Sequence, residues 1–127
     1  MDESKILSLE EINKLARRVL FSNGANEETS RVLANVIMTA ERDGHGSHGF
    51  KQLPSYVASI SDGWADGQAV PVIEAPTTAT LRVDGANGYA QIALQRICNR
   101  AIEMARLNGC AVLALRNIHH IGPLGPD

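Results

Sequence analysis

Seven residues, Asp43-Gly44-His45-Gly46-Ser47-His48-Gly49, bring two imidazoles, a hydroxyl and three glycines together between two segments of helical periodicity. Glycine lets the chain turn where a side chain would be strained. Ser47 is expected to cap the helix that follows, which puts His48 at its first position, where the positive end of the helix dipole opposes protonation. A neutral imidazole is what a general base needs. The same stretch also suits an ordinary link between helices with exposed histidines, and spacing alone leaves both readings open. A second pair follows a strand-like run far downstream, in Asn117-Ile118-His119-His120-Ile121-Gly122. All 4 histidines of the chain therefore fall in two tight clusters. Surface filler would be scattered.

The elements that must position these groups can be read from periodicity and caps. Ser8-Leu9-Glu10-Glu11 is a capping box, and Leu9, Ile12, Leu15, Ala16, Val19 and Leu20 form the apolar stripe of the helix it opens. Asn23-Gly24 ends that helix. Asn26 caps a second one, with Glu27 and Glu28 in its first turn and Val32, Leu33, Val36, Ile37 and Ala40 as its buried stripe. A third helix is expected from about Ser47 to about Ser61, with Pro54 marking a kink or a late start. Within it His48, Gln52 and Tyr56 recur every fourth residue and would share one wall. Tyr56 reads equally as a half-buried packing residue.

Short strands are expected at Val70 to Ile73 and Thr78 to Val83, split by Glu74-Ala75-Pro76. Asp84-Gly85-Ala86-Asn87-Gly88 reads as a turn. An amphipathic helix then runs from about Tyr89 to Leu107, with Ile92, Ala93, Ile97, Ala101, Met104 and Ala105 on its apolar face and Asn108-Gly109 closing it. The apolar run Cys110 to Leu115 predicts a strand buried on both faces. Strand, helix and strand make a βαβ-like unit, and in α/β folds functional groups sit just past the carboxyl end of such a strand, here at His119-His120. Nothing follows to enclose that position, so the 127 residues read as an interrupted protein.

Composition narrows the function classes. A hydrophobic content of 44% and a charged content of 20% are those of a globular protein. A net charge of −2, with no basic stripe and only 4% aromatics, argues against a nucleic-acid surface. No apolar run approaches the roughly 20 residues of a membrane span, and the first residues lack a signal-peptide core. Cys98 and Cys110 are expected to be buried small hydrophobes in a reducing cytoplasm, not a disulfide.

Three motifs in order then carry a resemblance: Ser47-His48-Gly49 with Leu53-Pro54-x-Tyr56, Asp84-Gly85-x-Asn87-Gly88-x-x-Gln91, and Arg116-Asn117-x-x-His120-x-Gly122. Together they resemble the amino-terminal part of the malate/L-lactate dehydrogenase family, the group with sulfolactate, ureidoglycolate and piperideine-2-carboxylate enzymes, and look closest to its hydroxycarboxylate dehydrogenase branch. The resemblance runs from the Ser8 helix to Leu124. It implies a truncated α/β piece of a non-Rossmann fold, with a helical region over residues 1–65 and the strand-helix-strand start of a cofactor domain over 66–127. It also implies hydride transfer between a 2-hydroxy acid and NAD or NADP in a cytoplasmic dimer. Carried over residue by residue, His120 would accept the proton, and Ser47 and His48 would touch the reacting group and relay the proton. Gln52 and Tyr56 would face substrate, and His120, Ile121, Gly122 and Leu124 would meet the cofactor.

The sequence departs from the family pattern at several points. Gln52 stands where many members carry an arginine that could grip a carboxylate, and Lys51 lies about 100° away round a helix. Ile118 replaces a common serine, Pro123 an arginine, and members are considerably longer. The competing expectations are a non-enzymatic remnant that self-associates through uncovered apolar faces, and a zinc site from His45, His48, His119 and His120. The zinc reading lacks a carboxylate or cysteine at ligand spacing.

Overall fold

The structure, a computed structural model, describes residues 4–122. Helices α1 (Leu9–Ser22) and α2 (Glu27–Arg42) pack on one another, and α3 (Leu53–Ser61) joins them after two short 3-10 turns, Gly46–His48 and Phe50–Gln52. Strands β1 (Val72–Thr77) and β2 (Thr80–Tyr89), helix α4 (Ala90–Asn108) and strand β3 (Val112–His119) complete the chain. The sheet has the order β1-β2-β3, with β1 antiparallel and β3 parallel to β2. Strand, helix and parallel strand are thus the βαβ unit that the periodicity predicts, and the mixed α/β class stands.

Local signals place the helix ends. Ser8 accepts from the amide of Glu11, and Glu11 accepts from that of Ser8. Asn26 caps α2 through the amide of Thr29, 2.8 Å away. Gly109 ends α4 with φ +81°, a left-handed conformation that costs glycine little. Ala16, Leu20, Leu33, Ile37, Tyr56, Tyr89 and Ile92 belong to one apolar cluster under the helices. Leu81, Val83, Ala93 and Ile97 form a second between α4 and the sheet. Arg96 on α4 grips Glu28 on α2, with Nε 2.9 Å from the carboxylate, and holds that carboxyl below its usual range.

Several expectations are corrected. Ser47 caps no helix: the chain runs through the two 3-10 turns, and α3 begins only at Leu53, with Pro54 in its first turn. The dipole argument for His48 therefore has no helix to rest on. His48, Gln52 and Tyr56 do not share a wall, because 3-10 winding and the break at Gly49 rotate them apart. They lie exposed, half-buried and buried respectively.

β1 runs through Glu74-Ala75-Pro76, and its Pro76 is tolerated because β1 is an edge. Asp84–Gly88 is no chain reversal but a bulge inside β2. Between the pairs Asp84↔Arg116 and Gly88↔Ile118, β2 advances four residues and β3 two. Ala86 and Asn87 take up the excess with φ of 52° and 65°. A Cβ on Gly85 would lie 2.8 Å from the carbonyl oxygen of Asn117, so only glycine lets β3 pass.

β3 is the other edge, half-buried at alternate positions rather than buried on both faces. Cys98 and Cys110 are free and exposed, not buried. Cys98 sits one helical step past buried Ile97, which turns it away from the sheet, and Cys110 lies in the link to β3.

Candidate functional site

The register of β3 decides where its histidines go. Pairing of Tyr89 with His119 sets the end of β3 beside the start of α4, so His120 emerges over Gln91 and against α3. The ring of His120 meets Tyr56 edge-on at 5.4 Å between centroids and Tyr89 at 5.8 Å. The two tyrosines meet each other edge-on at 5.3 Å, and the Tyr89 hydroxyl donates to the carbonyl of Tyr56 at 2.9 Å.

Ser59, one turn beyond Tyr56, lies 3.1 Å from His120 Nε2. Its hydroxyl donates to the carbonyl of Ser55 at 2.8 Å, which uses its one proton. With that proton on Ser55, the contact assigns Ser59 as acceptor and the Nε2–H tautomer to the neutral ring. Nδ1 is left as the bare acceptor. Burial, followed by the charge of neighbouring His119, pushes the pKa of His120 below the ordinary histidine value, which keeps the ring neutral. Burial also raises both Tyr56 and Tyr89 to about 12, so neither phenol ionises near neutrality.

The backbone of His120 is in the left-handed region with φ 51°, a conformation that residues bearing a side chain seldom adopt without a local reason. Gln91 supplies one: its Nε2 donates to the His120 carbonyl and lies 3.5 Å from the Tyr56 hydroxyl. His119 points elsewhere. Asn87 gives its Nδ2 to the Trp64 carbonyl at 3.1 Å, so its Oδ1 accepts from His119 Nε2 at 2.6 Å, and exposed Trp64 lies 5.6 Å from the His119 ring.

The other expected site residues make contacts of their own. Ser47 and His48 are exposed and bond one another, Oγ to Nδ1 at 3.1 Å. Their loop is anchored by Glu41, which accepts from the amide of Phe50 at 2.7 Å. Gln52 is half-buried, Ile121 exposed, and Gly122 lies beside the Gln91 amide. Leu124 and Pro123 lie outside the described residues. The structure thus brings His120 and Tyr56 together in one ring cluster, while the contact His48 makes is with Ser47. Among the described residues no three His, Cys, Asp or Glu side chains are placed to share a metal ion.

Two concavities lie away from His120. One of about 140 Å³ is lined by Val72, Glu74, Arg82, Asp84 and Arg116, and one of about 450 Å³ by residues of α1 with Glu27. Ser59 and Tyr89 were not singled out by sequence. Ser59 lies one helical turn past Tyr56, a spacing that could have flagged it.

Comparison with known proteins follows the same lines. The family pattern described as malate/L-lactate dehydrogenase matches residues 7–127. A Δ1-pyrroline-2-carboxylate/Δ1-piperideine-2-carboxylate reductase of Pseudomonas syringae pv. tomato is 41% identical over 98% of this chain and 36% of its own. Hydroxycarboxylate dehydrogenase B of Escherichia coli K12 is 32% identical over 98% of this chain and 35% of its own. Similarity is thus higher to the reductase than to the branch the motifs suggested. The crystal structure of the P. syringae pv. tomato Δ1-piperideine-2-carboxylate reductase superposes with a TM-score of 0.91 over 97% of this chain and 37% of that one. The chain spans about a third of the length of the curated relatives it matches.

Proposed function

The chain belongs to the malate/L-lactate dehydrogenase family, and from that premise we propose that it supplies the amino-terminal part of an oxidoreductase that moves a hydride between NAD or NADP and a 2-hydroxy or 2-oxo acid. The observation that carries this reading is His120: an imidazole kept neutral by burial at the end of a parallel strand, completing a three-ring cluster with Tyr56 and Tyr89, its Nε2 beside Ser59. Breaking a secondary alcohol's C–H bond as hydride requires its hydroxyl proton to leave as the C=O forms. An imidazole held neutral is suited to take that proton, and in the reverse direction to return it. The nicotinamide supplies the hydride chemistry itself.

The residues beside His120 fit such a ligand in one respect. The buried Oε1 of Gln91 has no protein partner, an orphaned acceptor of the kind that a carboxamide N–H satisfies. In this reading His120, Ile121, Gly122 and Leu124 meet the cofactor. Ser47, His48, Gln52 and Tyr56 serve the substrate side. Residues 1–65 form the helical region and 66–127 the start of the cofactor domain. The protein works as a dimer in a reducing cytoplasm, where exposed Cys98 and Cys110 stay thiols.

The 41% identity to a cyclic imine reductase favours a second substrate class, an imine carboxylate whose C=N takes the hydride. A remnant that only self-associates is the other reading, favoured by exposed Ile102, Leu107 and Val112.

Titrating the 127-residue chain with NADH and NADPH by fluorescence, with and without a 2-oxo acid or a cyclic imine carboxylate, tests these readings. Saturable binding lost in His120→Ala supports the oxidoreductase, and the additive that tightens binding names the substrate class. No binding, in a chain larger than a monomer by light scattering, supports the remnant.

A further inference from the structure

The left-handed backbone of His120 is held by a hydrogen bond from outside its own segment. Gly122, with φ 70°, bends the chain back so that its missing Cβ would lie 3.3 Å from Gln91 Nε2. The carboxamide is therefore enclosed by the backbone it serves. Gln91 is 7% exposed, and its Nε2 donates to the His120 carbonyl from a different element, the first turn of α4. An amide buried there is not a packing choice. Leucine or methionine would fill the space without leaving an acceptor orphaned, as Gln91 Oε1 is.

We propose that Gln91 is a positioning residue, its carboxamide locking the His120 backbone in the left-handed conformation and so aiming the imidazole at Ser59 and onto the Tyr56–Tyr89 pair. The link runs from the α4 side chain to the strand-end carbonyl, and through the fixed backbone to the ring. Where it bears on proton transfer, this inference rests on the reading of His120 given above; the geometry stands without it. The titratable groups facing His120 are Tyr56 from α3, Tyr89 from the end of β2 and His119 from β3.

The test is NMR on the ¹³C,¹⁵N-labelled 127-residue chain, as wild type and as Gln91→Met, which keeps length and helix propensity but removes the donor. In the wild type the Gln91 side-chain amide should exchange with solvent at least about tenfold more slowly than that of exposed Gln95 and show a coupling across the hydrogen bond to the His120 carbonyl. In Gln91→Met the His120 ring should lose its single Nε2–H tautomer, and its titration midpoint should rise towards that of an ordinary histidine. The methyl signals of Leu81, Val83 and Ile97 should stay in place.

An unchanged His120 ring in a folded variant would overturn the proposal. So would fast exchange of the wild-type Gln91 amide, which decides the matter if the variant fails to fold. A displaced His120 ring in a chain that binds no NADH would keep the positioning role and remove the oxidoreductase reading. NADH binding with an undisturbed ring would do the reverse.

Discussion

His120 Nε2 and Ser59 Oγ lie 3.1 Å apart across 61 residues of sequence, and the serine's proton is committed to the carbonyl of Ser55. That commitment assigns the Nε2–H tautomer, in which Nδ1 is the bare nitrogen. Ser59→Ala should destabilise the chain by about 1 kcal/mol, the usual net value of a hydrogen bond, seen as a lower urea midpoint at constant m. The ¹⁵N shifts of the His120 ring should move from one tautomer to a mixture. A ring that keeps a pure Nε2–H tautomer without Ser59 would show that something else orients it.

Acid should weaken the fold before the carboxylates protonate. The folded pKa of His120 lies below its unfolded value of about 6.5, so the unfolded chain binds more protons between the two. Stability is therefore fully present above about pH 6.5 and is lost as pH falls through the folded pKa. The paired carboxyls of Glu28 and Asp84 are held below their usual range, so their loss comes at lower pH. Urea midpoints measured between pH 8 and pH 5 should fall in the wild type and stay flatter in His120→Gln. Equal slopes would place the titrating group elsewhere.

At high pH the tyrosines set the limit. Tyr56 and Tyr89, the 2 tyrosines of the chain, ionise at about 12 in the fold and at about 10 when unfolded. Between these values the folded state holds more protons, so stability falls as pH rises above about 10. Absorbance at 295 nm should show both phenols ionising together with the loss of far-ultraviolet helix signal. Ionisation near pH 10 in a chain that is still folded would contradict their burial.

The bulge in β2 should tolerate no side chain at Gly85. The added Cβ would meet the Asn117 carbonyl at 2.8 Å, which is backbone and cannot swing aside. Gly85→Ala should cost about 1–3 kcal/mol, as overpacking does, while Gly44→Ser, with nothing within 4 Å of its Cβ, pays only for its positive φ. Denaturant midpoints of the two variants provide the comparison, and a Gly85→Ala chain as stable as wild type would mean that β2 and β3 pair differently.

The features legible in the sequence are those whose partners lie within one turn. Ser8 meets Glu11, Asn26 meets Thr29, and Gly109 ends α4 by its own freedom of φ, so the starts of α1 and α2 and the end of α4 are written locally. The three motifs likewise identify the family, because residue types in order need no coordinates. Asp84–Gly88 shows the boundary of that approach. Its glycines and asparagine have turn chemistry, yet β3 arrives alongside, pairs at Asp84 and again at Gly88, and turns the same local bends into a bulge. The exposure of Cys98, the half-open β3 and the joining of His120 to Ser59, Tyr56 and Gln91 depend in the same way on neighbours distant in sequence. Short-range hydrogen bonds and backbone freedom are properties of adjacent residues, and the sequence alone determined them. Burial, strand register and the tautomer of His120 depend on which distant atoms fill the space around a residue, and only the tertiary structure decided them.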